Sequence, residues 1–320
     1  MNITPYLTPQ GKREALLRLS LILLSKSAKP DEFLKLERKL AAELSKHWRK
    51  KYSNALKSIF ESIPDYLSKE AIELIEDGLI DALGSNFGSS DDIRKQINDF
   101  ITEAYSKAKK EYIEKAELSL PDRRAINVLT RHNCFWIGEH YGKHVGPKIS
   151  ELTQKALNEG LGRTALAESL RQELGSVAPE GYSYWDVVSS SALVRARSFG
   201  AIAGMEEAGI AEYEILAVGD ERMCNICGTL SGTHFSVAET REYINHALDI
   251  TNPEDFKAAM PWQTKAPEAT PATKDKKPID RIVTDSEVRR LAENGQSLPP
   301  FHGRCRCTVV MVDSYTSTEV

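Results

Sequence analysis

"LPPFHGRCRCTVV", residues 298–310, decides how this chain is read. It sets two cysteines one residue apart at the mouth of a β-branched run, with a histidine three positions earlier. "RCRCTVVMV", 304–312, has the composition of a strand, in which side chains i and i+2 point the same way. Cys305 and Cys307 are therefore expected to face one site while Arg304 and Arg306 face away. Far upstream, "CNIC" puts Cys224 and Cys227 in a C-x-x-C turn, so that both sulfurs can approach one ion. Four thiolates at tetrahedral distance suit zinc, and His302 is placed to replace one of them. Two other states compete: reduced thiols holding no ion, and a disulfide or redox pair. Joining the pairs would anchor the last strand to the earlier segment and let the intervening chain loop out at modest entropic cost.

Outward from these clusters the pattern divides the chain. "YEILAV", 213–218, is β-branched and aromatic like a strand, and "GTLSGTHFSV", 228–237, has the glycines of a short hairpin. Residues 251–280 are rich in Pro, Ala, Thr and Lys, which predicts an extended, mobile insertion. Everything earlier carries helical periodicity. Leu36, Leu40, Leu44, Trp48, Tyr52 and Leu56 recur every four residues on one long helix starting at Pro30. "NFGSSDD" is a turn with Ser89 or Ser90 capping the next helix, where Ile93, Ile97, Phe100, Ile101, Ala104 and Ala108 share a face. "SLPD", 119–122, breaks the pattern and predicts a domain boundary. Helices continue over 123–207, with a helix–turn–helix outline at 149–175 and a last helix ending at Gly209. The expected fold class is α+β. A mainly α-helical region, 1–120, is a candidate docking domain. A helical segment, 121–209, leads into a small α+β region, 210–320, with a short β-sheet and the Cys/His cluster.

Composition narrows the function classes. Apolar residues are 41% and charged residues 28%, a globular balance, and the net charge of −4 argues against a generic nucleic-acid coat. No run reaches the ~20 apolar residues of a membrane-spanning helix. "EALLRLSLILLSKSAKP", 14–30, is interrupted by Arg18 and reads as a helix capped at Thr8 with Pro9 at its first position, not as a secretory leader. Clustered cysteines in a reducing compartment favour metal or redox chemistry over a disulfide frame. In "RHNCFWIGEHYGKH", 131–144, His140 and His144 stand one helical turn apart with Glu139 adjacent and His132 and Cys134 a turn or two earlier. The order is not that of the zinc peptidases, and an amphipathic helix with histidines at its wet edge is the simpler account. "KHWRKKY", 46–52, is a basic turn whose Trp48 is expected to face inward. No nucleophile elbow, phosphate loop or dinucleotide fingerprint is present.

The run "GDERMCNICGTLSGTHF", 219–235, followed by "LPPFHGRCRCTVV", resembles the signature of the phage Mu F-like minor head protein family. Asp220, Arg222, Cys224 and Cys227 match its first block; Leu230, Gly232 and Phe235 its second; Pro299, Pro300, His302, Cys305, Arg306 and Cys307 its third. Trp136, Gly160 and Arg195 also resemble the family's preceding helices, so the likeness spans about 130–312. Gly303 departs from the pattern, standing where the family usually has proline. The resemblance implies a non-enzymatic minor capsid protein of a tailed bacteriophage that acts in head morphogenesis near the portal. Its implied partners are the portal protein, other head proteins and packaged DNA, with no membrane. Its implied place is the virion head, after assembly in the host cytoplasm. A structural Zn(2+) on Cys224, Cys227, His302, Cys305 and Cys307 would staple such a protein. An alternative from another class is a zinc-dependent hydrolase acting on nucleic acid or peptide, which needs an open coordination position and a base such as Asp220 or Glu221. A third is a host DNA-binding regulator using the 150–175 helix pair, against which the acidic charge weighs.

Overall fold

Among the described residues five long helices pack into one core, and the stripes read on 36–56 and 93–108 lie on two of them. The structure, a computed structural model, describes residues 31–62, 67–83, 90–219, 223–263, 290–291 and 295–312. The helices are α1 (Asp31–Ser62), α2 (Lys69–Leu83), α3 (Asp91–Lys110), α4 (Leu120–Asn158) and α5 (Arg163–Glu207). The predicted stripe of α1 is buried at Leu36, Leu40, Leu44, Trp48 and Leu56. Trp48 faces inward and stacks on Tyr52, with ring centroids 6.2 Å apart, while Lys46, Arg49 and Lys50 stay in solvent. α3 buries its predicted face from Ile93 to Ala108. Ser90 occupies its N-cap position without a side-chain cap bond. The helix expected at 8–30 lies outside the described residues.

The break at 119–122 is a helix start between packed helices. Ser119 Oγ accepts the Asp122 N–H, and the Asp122 carboxylate accepts the Ser119 N–H at 2.9 Å, a reciprocal cap with Pro121 in the first turn. Lys109 of α3 reaches across to Asp122 at the start of α4 and to Glu207 at the end of α5, each at 2.7 Å. α1 and α3 both pack along α5, and the buried apolar residues of 31–110 belong to the same core as those of 120–207. Contact with α3 is close because Gly200 and Gly204 face it. A Cβ at Gly200 would overlap the Tyr105 carbonyl oxygen, and one at Gly204 would lie 2.8 Å from that of Lys109. The helix–turn–helix outline at 149–175 is the α4–α5 hairpin. Its turn closes through Gly160 at φ +65°, with Leu161 N–H on the Ala156 carbonyl at 2.8 Å. The two helices expected after Gly162 are one element, which ends at Glu207 and is followed past its cap by Gly209 at φ +73°.

A three-stranded antiparallel sheet follows. β1 (Glu212–Leu216) is central between β2 (His234–Ser236) and β3 (Thr308–Met311). Tyr213 pairs with Phe235 on one side, and Leu216 pairs with Thr308 on the other. The expected hairpin at 228–237 does not form. Its first half belongs to α6 (Asn225–Leu230), a turn at Gly232 (φ +78°) follows, and β2 pairs with β1 instead. α7 (Val237–Asp249), capped by Ser236, packs back on α5. The expected mobile insertion begins with an ordered helix, α8 (Pro253–Ala259), capped by Asn252. Phe256 anchors it, 1% exposed, against the His132 ring at 4.6 Å. Composition hid this helix because a single buried aromatic among Pro, Ala and Lys carries no periodic signal. The rest of that stretch, 264–280, lies outside the described residues.

Candidate metal centre

Both cysteine clusters converge beside the sheet. β1 brings them together: the chain leaving its carboxyl end leads to Cys224, and β3, paired along its other edge, begins one residue after Cys307. The C-x-x-C turn is the first turn of α6. Cys224 is the N-cap and its sulfur accepts the Cys227 N–H at 3.4 Å. The far end of α6 is fastened to β1 through Gly232 N–H on the Ile215 carbonyl at 2.8 Å and Ala217 N–H on Ser231 Oγ.

The C-x-C pair is held differently from the expectation. The strand covers only Thr308–Met311, so Cys305 and Cys307 lie in the turn before it, outside the strand alternation. A reversal orients them. Arg304 adopts φ +59°, Cys305 N–H bonds the His302 carbonyl at 3.2 Å, and the Arg304 guanidinium pairs with Asp186 of α5 at 2.9 Å. Gly303, the departure from the family pattern, sits tight against α5. A Cβ there would stand 3.0 Å from Val187 and 3.6 Å from Trp262. These contacts with α5 carry no spacing signal in the sequence.

Five side chains make two triads that share Cys227: Cys224, Cys227 and His302, and Cys227, Cys305 and Cys307. Within each triad the ligand atoms all lie within 4.8 Å of one another. His302 Nε2 is 3.2 Å from Cys224 Sγ and 3.1 Å from Cys227 Sγ. Its Nδ1 is 2.7 Å from the Gly303 carbonyl. A carbonyl only accepts, so Nδ1 carries the proton and the Nε2 lone pair faces the two sulfurs, the tautomer that a metal-binding imidazole needs. Cys305 is fully buried and Cys307 is 2% exposed. Burial opposes ionisation at Cys305, but hydrogen bonds from Cys227, Cys307 and the local backbone overcome it and hold this thiol well below its ordinary range. Cys227 is pushed up first by its hydrogen bond with Cys305, against an opposing one with Cys307, and Cys307 by those with Cys227 and Cys305, with burial adding to both. Three sulfurs this close and this buried suit a thiophilic cation. Zn–S bonds of about 2.3 Å put tetrahedral sulfurs about 3.8 Å apart, within the spacing seen here.

Of the other residues singled out, Cys134 and His132 do not join this cluster. Cys134 is buried, which raises its thiol to about 11. His132 is buried between α4 and α8 and held neutral, at about 3, by burial and by Arg195 and Lys257 nearby. The side chains of His140 and His144, and residues Asp220, Glu221 and Arg222, lie outside what the structure describes. No helix among the described residues is long and apolar enough to cross a membrane. No family model, curated protein or solved structure matches the chain.

Proposed function

We propose that the chain is a structural minor capsid protein of a tailed bacteriophage, acting in head morphogenesis near the portal, with its Cys/His cluster stapled by one zinc ion. One observation carries this: two sequence blocks resembling the Mu F-like signature, 75 residues apart between Cys227 and His302, supply one compact cluster. Cys224 and Cys227 come from the first block, and His302, Cys305 and Cys307 from the third. The second block, Leu230 to Phe235, ties α6 to β1 and supplies β2, which holds the first block in place. The motif residues thus have a shared structural task.

Zinc in this cluster would join α6 to the turn before β3 and neutralise thiolates buried together. A hydrolytic zinc needs a coordination position open to water. Here Cys305 and Cys307 are sealed from solvent, which favours a closed, structural site. The proposed partners are the portal, other head proteins and packaged DNA.

Two measurements separate the parts of this proposal. Elemental analysis of the full chain, purified without chelator, is expected to give about one zinc per chain. Less than about a tenth of that, with every cysteine open to a thiol probe in the native state, sinks the staple. Mass spectrometry of purified particles from a phage encoding this chain is expected to find its peptides in heads. Their consistent absence sinks the capsid role whatever the zinc result, and points to hydrolase assays.

A further inference from the structure

A cavity of about 380 Å³ opens between α4 and α5, lined by none of the clustered cysteines. That size is within the ~300–1,000 Å³ of small-molecule sites. α5 contributes Tyr184, Ser191 and Arg195, spaced by about one or two turns and so on one face. α4 contributes His132, Trp136 and Glu139 by the same spacing, while Lys257 and Trp262 border the cavity from α8 and beyond.

Its polar groups are unevenly partnered. Arg195 is 9% exposed, donates to the Met260 carbonyl at 3.4 Å and lies 5.8 Å from the Phe256 ring. Among the described residues no carboxylate pairs with it. A buried cation lacking a counter-charge is costly unless something supplies one. Facing it, His132 is 8% exposed, and its Nδ1 is buried with no partner among the described residues. Ser191 Oγ, one turn before Arg195, is in the same condition. Lys257 Nζ lies over the Trp136 ring, 3.9 Å from its centroid, adding positive charge at the same end. Glu139, the carboxylate lining the cavity, is two turns along α4 from His132, about 10 Å of helix rise. The cavity therefore has a cationic end with an unused donor and an unused acceptor, aromatic walls, and a far end that repels a second acid.

We infer that this cavity binds a small organic monoacid with an aromatic body and an N–H or O–H beside its acid group. The carboxylate takes Arg195 and Ser191, the donor takes His132 Nδ1, and the ring lies against Trp136, Tyr184 and Trp262. The cavity shares no residue with the cysteine cluster, although its Val187 and Trp262 pack against Gly303 beside His302, and the inference does not rest on the capsid proposal.

N-(4-fluorobenzoyl)glycine carries all three features and reports its own binding by fluorine NMR. Titrated into the full chain, it is expected to bind saturably. Its neutral carboxamide and its N-methyl analogue are each expected to bind about tenfold or more weakly, the loss typical of one charged or buried hydrogen bond. Arg195→Lys keeps the charge but loses the fork, and Ser191→Leu fills the cavity. Both are expected to weaken binding at least about tenfold with an unchanged circular dichroism spectrum. Lys257→Gln, exposed at the rim, is expected to cost only about threefold. If the variants fail to fold, the acid–amide comparison on the natural chain decides alone. Equal binding of acid and carboxamide overturns the proposal, leaving a merely apolar cavity. So does no shift at millimolar probe, or phenyl phosphate binding in clear preference to the carboxylate.

Discussion

His132 illustrates how one side chain couples packing to pH. It is buried against Phe256 with Arg195 and Lys257 nearby, and burial first, then those charges, hold it down at about 3. An unfolded histidine titrates near 6.5. Between these values the unfolded chain binds a proton that the folded chain does not, so stability falls as pH drops from about 6.5 toward 3. The natural chain is expected to lose up to about 2 kcal/mol more than His132→Gln between pH 7 and 5. Urea midpoints at the two pH values measure this, and parallel losses would show that the imidazole charges freely in the folded protein. His302 differs: its Nδ1 is committed to the Gly303 carbonyl, and its other nitrogen faces sulfur. The ligand residue types were legible in the sequence because two cysteine pairs and a histidine stand out from everything around them. Their grouping was not. Whether His302 goes with C-x-x-C or C-x-C depends on the backbone reversal at Arg304, an arginine at positive φ that no spacing rule predicts.

Among the elements, α5 organises the rest. Its Gly200–Gly204 face lets α3 approach to backbone contact. Gly200→Ala is expected to destabilise by about 2–3 kcal/mol, because a carbonyl cannot move aside as a side chain can. Gly209→Ala meets open space but must hold φ +73°, and is expected to cost about 1 kcal/mol. Thermal unfolding of the two variants checks the order, and a larger loss at Gly209 would contradict the close α3–α5 packing. Long helices were readable because stripes such as Leu36–Leu40–Leu44–Trp48 repeat over many turns. Short elements were not. α6 spans six residues and takes its cap from a cysteine sulfur, so its "CGTL" offers glycine and threonine that look like a turn. β1 was recognised, but its pairing with β2 and β3 depends on tertiary contacts that local composition does not encode.

At the level of the whole molecule, the continuous core changes what the first helices do. They complete the face of α5, so any docking role belongs to their outer surfaces. A chain beginning at residue 120 bares the glycine face of α5 and leaves Asp122 and Glu207 without the Lys109 they pair with. It is expected to aggregate or to unfold without a sharp transition, whereas the full chain melts in one step. Size-exclusion chromatography and calorimetry test this, and a monomeric truncation with a cooperative melt would mean that 120–312 holds its own core.

The central place of β1 also sets a schedule. Leu216 leaves the ribosome about ninety residues before its partner Thr308, a wait of roughly 5 to 20 s at ordinary elongation rates. For most of that interval the first cysteine pair has emerged and the second has not. The nascent chain thus presents a two-sulfur half-site beside a strand with one edge open, and both are closed by the same late arrival of residues 302–311.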